Sequence, residues 1–131
     1  MPKRKLDQTH FLNVDLDIRA KSGLRSLLKA IEPAVIVLNF QPKRLLSVEL
    51  KSMQPRTIDE AVRLFFNLID NLEPSARLIW NRCETRCMNI GIQAATTPHQ
   101  AQFDISEEAI QMLGHMRAQI GISVYGASGR S

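Results

Sequence analysis

The stretch FLNVDLDIR, residues 11–19, alternates apolar and polar side chains from Leu12 to Arg19. Its apolar positions are separated by Asn13, Asp15 and Asp17. Successive side chains of a β-strand point to opposite faces, so this period of two predicts a strand with one buried and one polar face. A sheet containing such a strand needs a covering layer on its apolar side only.

The rest of the chain predicts more strands of this kind and several amphipathic helices. The predicted strands after the first are residues 34–38, 46–50, 88–94, 102–105 and 120–124. The predicted helices are residues 23–32, a long helix from 57 that Pro74 breaks or kinks, and residues 107–118. We therefore predict an α+β fold in β-α-β-β-α-β-β-α-β order. It would have a single mixed or antiparallel sheet of about six strands, with three helices packed on one face.

Local signals refine this prediction. Ser22, Thr57 and Ser106 stand where side-chain N-caps are expected, and Glu60 completes the spacing of a capping box with Thr57. The run AVIVL, residues 34–38, is continuously apolar and rich in β-branched residues, which predicts a central strand buried on both faces. It should form a hairpin with residues 46–50.

Length and composition fit one globular domain. The chain has 131 residues, of which 44% are apolar, and we predict a single domain over residues 10–126. Residues 1–9 and 127–131 are predicted to be flexible tails. The net charge is +4, and Lys3, Arg4 and Lys5 supply three of these charges, which leaves +1 (4 − 3) for the remainder. A nucleic-acid binder would carry a basic stripe on the folded part, so nucleic acid is not a predicted partner.

The expected location is the cytoplasm. No apolar run approaches the roughly 20 residues that cross a bilayer, and no apolar segment follows the basic N-terminus, so neither a membrane span nor a secretory signal is predicted. The two cysteines, Cys83 and Cys87, are then expected to be free thiols.

Familiar chemical motifs are missing from the sequence. Cys83 and Cys87 are three residues apart, but His10, His99 and His115 are scattered and do not complete a zinc set. The sequence contains no phosphate-binding glycine loop and no nucleophile elbow. We predict no catalytic residue, no metal ligand and no cofactor.

The strongest chemical candidates are acidic. Asp15 and Asp17 share a strand face and should lie about 6–7 Å apart, and Glu49 would join them if its strand were adjacent. Such carboxylates can hold a divalent cation or share a proton. The alternative interpretation is an ordinary solvated sheet face.

A surface for binding another protein is the other candidate site. The alternation places acids, amides, hydroxyls and one aromatic ring together on the polar face, a mixture suited to protein recognition. The predicted contact residues are Asp15, Asp17, Glu49, Gln93 and Tyr125, with Trp80 as a further candidate.

Four segments resemble small bacterial proteins of unknown function. They are FLNVDLD (11–17), the helix at 57–72, NIGIQ (89–93) and IGISVY (120–125). Some relatives of those proteins by fold are immunity proteins, so the resemblance implies binding of a cognate toxin. It carries no catalytic motif. The basic net charge departs from this implication, because inhibitors of nucleases tend to be acidic.

Three functions follow as hypotheses. The leading one is a non-enzymatic protein-binding module of the immunity-like kind. The second is a small-ligand or divalent-metal-dependent enzyme centred on Asp15, Asp17 and Glu49. The third is a structural homodimer formed through an exposed strand edge.

Overall fold

The structure is a computed structural model that describes residues 8–51, 54–96 and 100–126. The described residues form five strands and four α-helices. In chain order these are β1 (His10–Arg19), α1 (Leu24–Ile31), β2 (Val35–Gln41), β3 (Leu45–Leu50), α2 (Ile58–Asp70), α3 (Pro74–Arg82), β4 (Thr85–Gln93), α4 (Glu107–Met116) and β5 (Gln119–Tyr125). The α+β class is confirmed, although about six strands and three helices were expected. Apart from positions 8 and 9, the predicted tails lie outside the described residues, and so does His99.

All five strands belong to one mixed sheet in the order β2-β3-β1-β4-β5. β1 lies at the centre and pairs antiparallel with both β3 and β4. β2 and β3 form the predicted antiparallel hairpin, closed by a bond from Arg44 N to Gln41 O. β5 is parallel to β4, because α4 carries the chain back across the sheet between them.

The helices cover one face of this sheet. The apolar residues of β1 from Val14 to Ile18 form a single buried cluster with side chains such as Leu46, Phe65 and Ile90. Each fully buried side chain of this size contributes about 1.5–3 kcal/mol through removal of apolar surface from water. The opposite face carries the polar positions of the same strands and has no helix layer. The predicted one-sided sheet is therefore confirmed for the described part of the chain. None of the described helices is both long and apolar enough to cross a lipid bilayer.

Pro74 separates two helices where one interrupted helix was predicted. α2 begins at the predicted cap, where Glu60 N donates to Thr57 Oγ1 at 3.1 Å. It ends at Asp70, and α3 then starts with Pro74 as its first residue. Proline is favoured at that position, because its fixed φ suits a helix and its missing N–H would have no intrahelical acceptor there. This is why the structure has four α-helices.

The cap of α1 is Gly23 and not Ser22 as predicted. Gly23 has a φ of +87°, and no side chain caps the helix. A Cβ at this position would lie 2.7 Å from Cγ2 of Ile79. Glycine therefore suits both the left-handed backbone and the close contact with α3.

The AVIVL run forms an edge strand, so its predicted central position is wrong. β2 pairs only with β3 within the described sheet, and Ile36 and Leu38 are 41% and 47% exposed. Of the seven residues of β2, only Val35 is fully buried. Its continuous apolar character therefore does not reflect burial on two faces.

Two further predictions fail near the end of the sheet that carries the start of β1. Leu12 was expected in the buried row, but the register shifts between Phe11 and Asn13, which leaves Leu12 41% exposed at a bulge. Residues 102–105 were expected to form a strand and are irregular. They lead into α4, and Ser106 N at their end donates to Asp59 Oδ1 at 2.9 Å.

Candidate functional site

The uncovered face of the sheet, called the open face below, brings the predicted contact residues together. Strand register places their side chains on this side, because residues directly opposite in adjacent strands point the same way. From β3 to β5, the open face carries Ser47, Glu49, Asn13, Asp15, Asp17, Arg19, Cys87, Asn89, Gly91, Gln93, Gly121, Ser123 and Tyr125. Five of the predicted contact residues are among them, and the strand register confirms that these five share one face: Asp15, Asp17, Glu49, Gln93 and Tyr125.

Asp17 is the centre of a hydrogen-bonded network on this face. Ser47 Oγ of β3 donates to Asp17 Oδ1 at 2.5 Å, and Asn89 Nδ2 of β4 donates to Asp17 Oδ2. Cys87 Sγ is in turn 3.5 Å from Oδ1 of Asn89. Three neighbouring strands are thus linked by side chains as well as by backbone bonds. Both carboxylate oxygens of Asp17 have donors, which fixes its orientation.

Asp15 is the least satisfied carboxylate in the network. Its Oδ1 is buried and has no hydrogen-bond partner among the described residues. Burial raises the pKa of Asp15, and the charges of Glu49 and Asp17 raise it further. A cation brought close to this carboxylate would remove that unfavourable interaction and favour its ionised form.

The acidic groups of the open face have no cationic partner within the described residues. The ion pairs found there, Lys21 with Glu84 and Asp70 with His115, do not involve them. Arg19 is exposed at the end of β1. The face therefore has an acidic centre in a chain whose net charge is +4. The sequence could identify the acids, but only the structure shows that none of them forms an ion pair with another described residue.

Two glycines shape the part of the open face beside β5. A Cβ at Gly121 would lie 2.8 Å from Asn89 Oδ1, and a Cβ at Gly91 would overlap Oδ1 of Asn13. The asparagine side chains therefore lie flat over the neighbouring strands. The ring of Tyr125 passes close to Gly91 and is 53% exposed. The result is a flat polar surface with one aromatic ring at its border.

Gln93 is bound to the end of β5. Its Nε2 donates to the carbonyls of Ala94 and Gly126, at 3.1 and 3.0 Å. Ala94 N also donates to Tyr125 O at 2.9 Å. Gln93 lies on the predicted contact surface. Because its amide is bonded to backbone carbonyls at the ends of β4 and β5, its contribution to binding a partner would be indirect.

Trp80 does not belong to a contact surface. Its side chain is fully buried, and the indole Nε1 donates to the carbonyl of Met116 at 2.8 Å. The tryptophan thus joins α3 to the end of α4 from within the core. Its prediction as a contact residue is wrong, because its position near the end of α3 did not reveal that the side chain faces inward.

The two cysteines are free and separated by the sheet. Cys83 is buried at the end of α3, where its Sγ donates to Ile79 O at 3.2 Å, and Cys87 lies on the open face. Burial raises the pKa of the Cys83 thiol, and the nearby charge of Arg86 opposes that rise. Arg86 itself donates to the carbonyls of Trp80, Cys83 and Arg117. These bonds hold the Arg86 guanidinium against backbone carbonyls at the ends of α3 and α4.

The arrangement of the described side chains does not support a metal centre. Within the described ranges, no group of three or more His, Cys, Asp or Glu side chains is placed to hold a metal ion. Asp15, Asp17 and Glu49 are neighbours on the open face, yet they do not form such a group. No observation therefore favours the metal-dependent enzyme hypothesis.

Grooves in the described part of the chain lie away from the centre of the open face. One, of about 690 Å³, lies among α1, α2 and α3 and is lined by residues such as Lys29, Asn67 and Glu73. A second, about 570 Å³, lies beside the start of β1 and the irregular segment before α4. The third, about 270 Å³, lies next to Gly23. All three are open to solvent, and the third is bordered by the exposed ion pair of Lys21 and Glu84.

No protein-family model, curated protein or solved structure matches this chain.

Proposed function

We propose that this chain is a non-enzymatic protein-binding module that uses the open face to bind a partner with a cationic surface. The observation that carries the proposal is the group of carboxylates, Asp15, Asp17 and Glu49, on an uncovered sheet face and without a cation among the described residues. A Lys or Arg side chain of a partner would supply the missing charge.

The chemistry of the open face favours a protein over a nucleic acid. Phosphate groups would be repelled by the carboxylates, whereas protein interfaces combine charged, amide and aromatic side chains. Asn13, Asn89 and Ser123 offer both donors and acceptors around the acids, and Tyr125 adds an exposed ring. Tyrosine is among the residue types that contribute most to protein interfaces.

Preorganisation also favours recognition. Ser47 and Asn89 fix Asp17, and the strands that carry these side chains are bonded to each other. A rigid surface loses little conformational entropy when it binds, which increases affinity.

A cognate toxin is the class of partner that the resemblance to immunity-like proteins adds to this proposal. A toxin that binds an anionic substrate has a cationic active site, which an acidic surface can occupy. The relevant charge is that of the open face and not the net charge of +4 for the chain. A toxin gene next to the gene for this chain would support this class of partner, and a neighbouring toxin that does not bind the chain would exclude it.

The test compares two substitutions with the same change in charge. Glu49→Lys reverses a charge on the open face, and Glu108→Lys reverses an exposed charge on α4. Tagged wild-type chain, expressed in the native host, should recover one stoichiometric partner, and Glu108→Lys should recover it equally. Glu49→Lys should lose it, because two cations would then face each other.

The interaction should also weaken as salt is raised, because the attraction involves exposed charges. A partner retained by Glu49→Lys would show that the contact lies elsewhere. A partner whose binding does not depend on salt would contradict the cationic surface proposed for it. Circular dichroism of both variants confirms that each is folded.

A further inference from the structure

The outer edge of β5 has free backbone groups. Within the described sheet, β5 has a neighbour on one side only. The bond from Ala94 N to Tyr125 O shows that the carbonyl of Tyr125 points towards β4. The N–H and C=O of one residue in an extended strand point the same way, and the direction alternates along the chain. Ile120, Ile122 and Val124 therefore direct their N–H and C=O groups to the free edge.

β5 lacks the features that usually protect an edge strand from pairing. Residues 119–125 include no charged residue and no proline. The strand pairs with β4 in unbroken register from Gln119 to Tyr125, so its edge is regular. Ile122 and Val124 lie on the helix side of the sheet, yet they are 56% and 62% exposed. An exposed, regular and apolar edge of this kind is a site for strand addition.

We propose that the strand added at this edge is β5 of a second copy of this chain. The two copies would pair antiparallel about a twofold axis at Ile122, and the sheets would join into one sheet of ten strands. The inference goes beyond the proposed function, which one copy can perform. In the dimer, the two open faces would lie side by side.

The order of side chains along β5 is complementary to itself about Ile122. With Ile122 opposite its own copy, Ile120 faces Val124 and Gly121 faces Ser123, while Gln119 faces Tyr125. Apolar residues thus meet apolar residues on the helix side, and polar or small residues meet on the open face. The residues whose backbone groups point outward pair with one another. Three such pairs with two bonds each give six new hydrogen bonds.

The charge of the edge also suits a second copy. Two molecules that each carry a net charge of +4 repel one another, but the contacting strands bring no like charges together. Pairing through β2 is less favourable, because its register shifts between Val37 and Asn39. A bulge of this kind interrupts the regular spacing that strand addition requires.

The first test is the mass in solution as a function of concentration. A single strand pairing falls at the small end of specific interfaces, below about 1,200 Å² in total, so we expect reversible association. Light scattering after size exclusion should approach twice the chain mass of 14.8 kDa at sub-millimolar concentration and fall towards one chain at low micromolar concentration. A single-chain mass at every concentration would overturn the proposal.

Matched variants test the edge. Ile122→Lys places two like charges opposite each other at the axis and should weaken association by at least about tenfold. Ile110→Lys makes the same change on α4 at a residue of similar exposure, 58% against 56%, and should leave association unchanged. If Ile122→Lys associates as the wild type does, or if Val37→Lys on β2 weakens association instead, the assignment to β5 is wrong.

A charge-swap experiment tests the register. Ile122→Lys and Ile122→Glu should each be monomeric, and a mixture of the two should form a heterodimer, because position 122 then carries opposite charges across the axis. A mixture that stays monomeric would reject Ile122 as the twofold position. Since residue 122 is exposed in the single chain, both variants should retain the wild-type circular dichroism spectrum. Loss of partner binding with Glu49→Lys concerns a different strand, so the two proposals can fail separately.

Discussion

The two edges of the sheet are protected to different degrees. β2 contains a register shift between Val37 and Asn39, and the neighbouring β3 brings Glu49 to the open face. β5 keeps an unbroken register with β4, and its seven residues carry no charge. An apolar sequence at an edge therefore does not by itself indicate a binding site. The regularity of the backbone and the nearby charges distinguish an edge that can pair from one that is blocked.

The two edge strands also differ in how they are attached. β2 is joined to β3 by a short hairpin, and its first residue, Val35, is buried. β5 contains no fully buried residue. Its start is fixed from outside the strand, by the bonds from Trp80 to Met116 O and from Arg86 to Arg117 O. The position of β5 is thus held by these two side-chain bonds, called its anchor below. The position of β2 is held by the hairpin that joins it to β3.

The largest expected effect comes from removing that anchor. Trp80→Ala should lower the free energy of unfolding by about 3–5 kcal/mol, because it leaves a cavity and an unpaired carbonyl at Met116. Val35→Ala, at the buried start of β2, removes far less volume and should cost less. Urea denaturation of both variants measures the difference. Equal losses would mean that the β5 end has no special dependence on Trp80.

An intermediate effect on stability should distinguish the side of β5 that faces β4 from the side at the free edge. Ser123→Pro removes an N–H that points towards β4, and loss of that bond should cost about 1–3 kcal/mol. Ile122→Pro removes an N–H that points to the free edge, so it should cost less in the single chain. Thermal unfolding at low concentration, where dimers dissociate, compares the two. The opposite order of stability would reverse the assignment of inward and outward groups.

The smallest expected effect on stability comes from Asp15, one of the three carboxylates of the open face. The pKa of Asp15 is raised by folding, so the unfolded chain releases this proton at a lower pH than the folded chain does. The free energy of unfolding therefore falls as pH rises above the ordinary value of 3.8, and this contribution is absent well below it. Asp15→Asn should be more stable than wild type at neutral pH, by an amount near the 0.5 kcal/mol or so typical of surface changes, with no gain in acid. Denaturant titrations at neutral pH and in acid, well below pH 3.8, test this. A gain in the free energy of unfolding that persists in acid would have another cause.

The β5 edge should be unaffected by that substitution. Residues 119–125 contain no charged side chain and Asp15 lies on another strand, so Asp15→Asn should self-associate as the wild type does at the same neutral pH. A change in self-association would show that Asp15 on β1 is coupled to the edge formed by β5.

Much of the fold could be predicted from the sequence, because alternation and capping are local. The alternation in β1 identified the face that carries Asp15 and Asp17, and Thr57 and Ser106 cap their helices as predicted. The predicted contact residues other than Trp80 share the open face for the same reason. A period of two fixes the side of the sheet without knowledge of the strand order.

The errors arose where tertiary placement decides the outcome. The AVIVL run could not reveal whether it had one neighbour or two, and Leu12 precedes a bulge that alternation does not mark. Asp17 accepts hydrogen bonds from Ser47 and Asn89, which lie 30 and 72 positions later in the chain, so no local pattern marks them. The hypothesis of a homodimer through an exposed strand edge did not specify the strand, although the lack of charge in residues 119–125 was a signal for β5.

The central position of β1 has a consequence for the order of folding. β1 precedes every other described strand in the chain, yet Asp17 finds its opposite residues in Ser47 and Cys87, which are 30 and 70 positions later (47 − 17 and 87 − 17). Closing such long loops is entropically costly, whereas the β2–β3 turn closes locally. We expect that hairpin to form first and the sheet to be completed when β4 reaches β1. Pulse-labelled hydrogen exchange during refolding should then protect β3 before β4, and the reverse order would contradict this sequence of events.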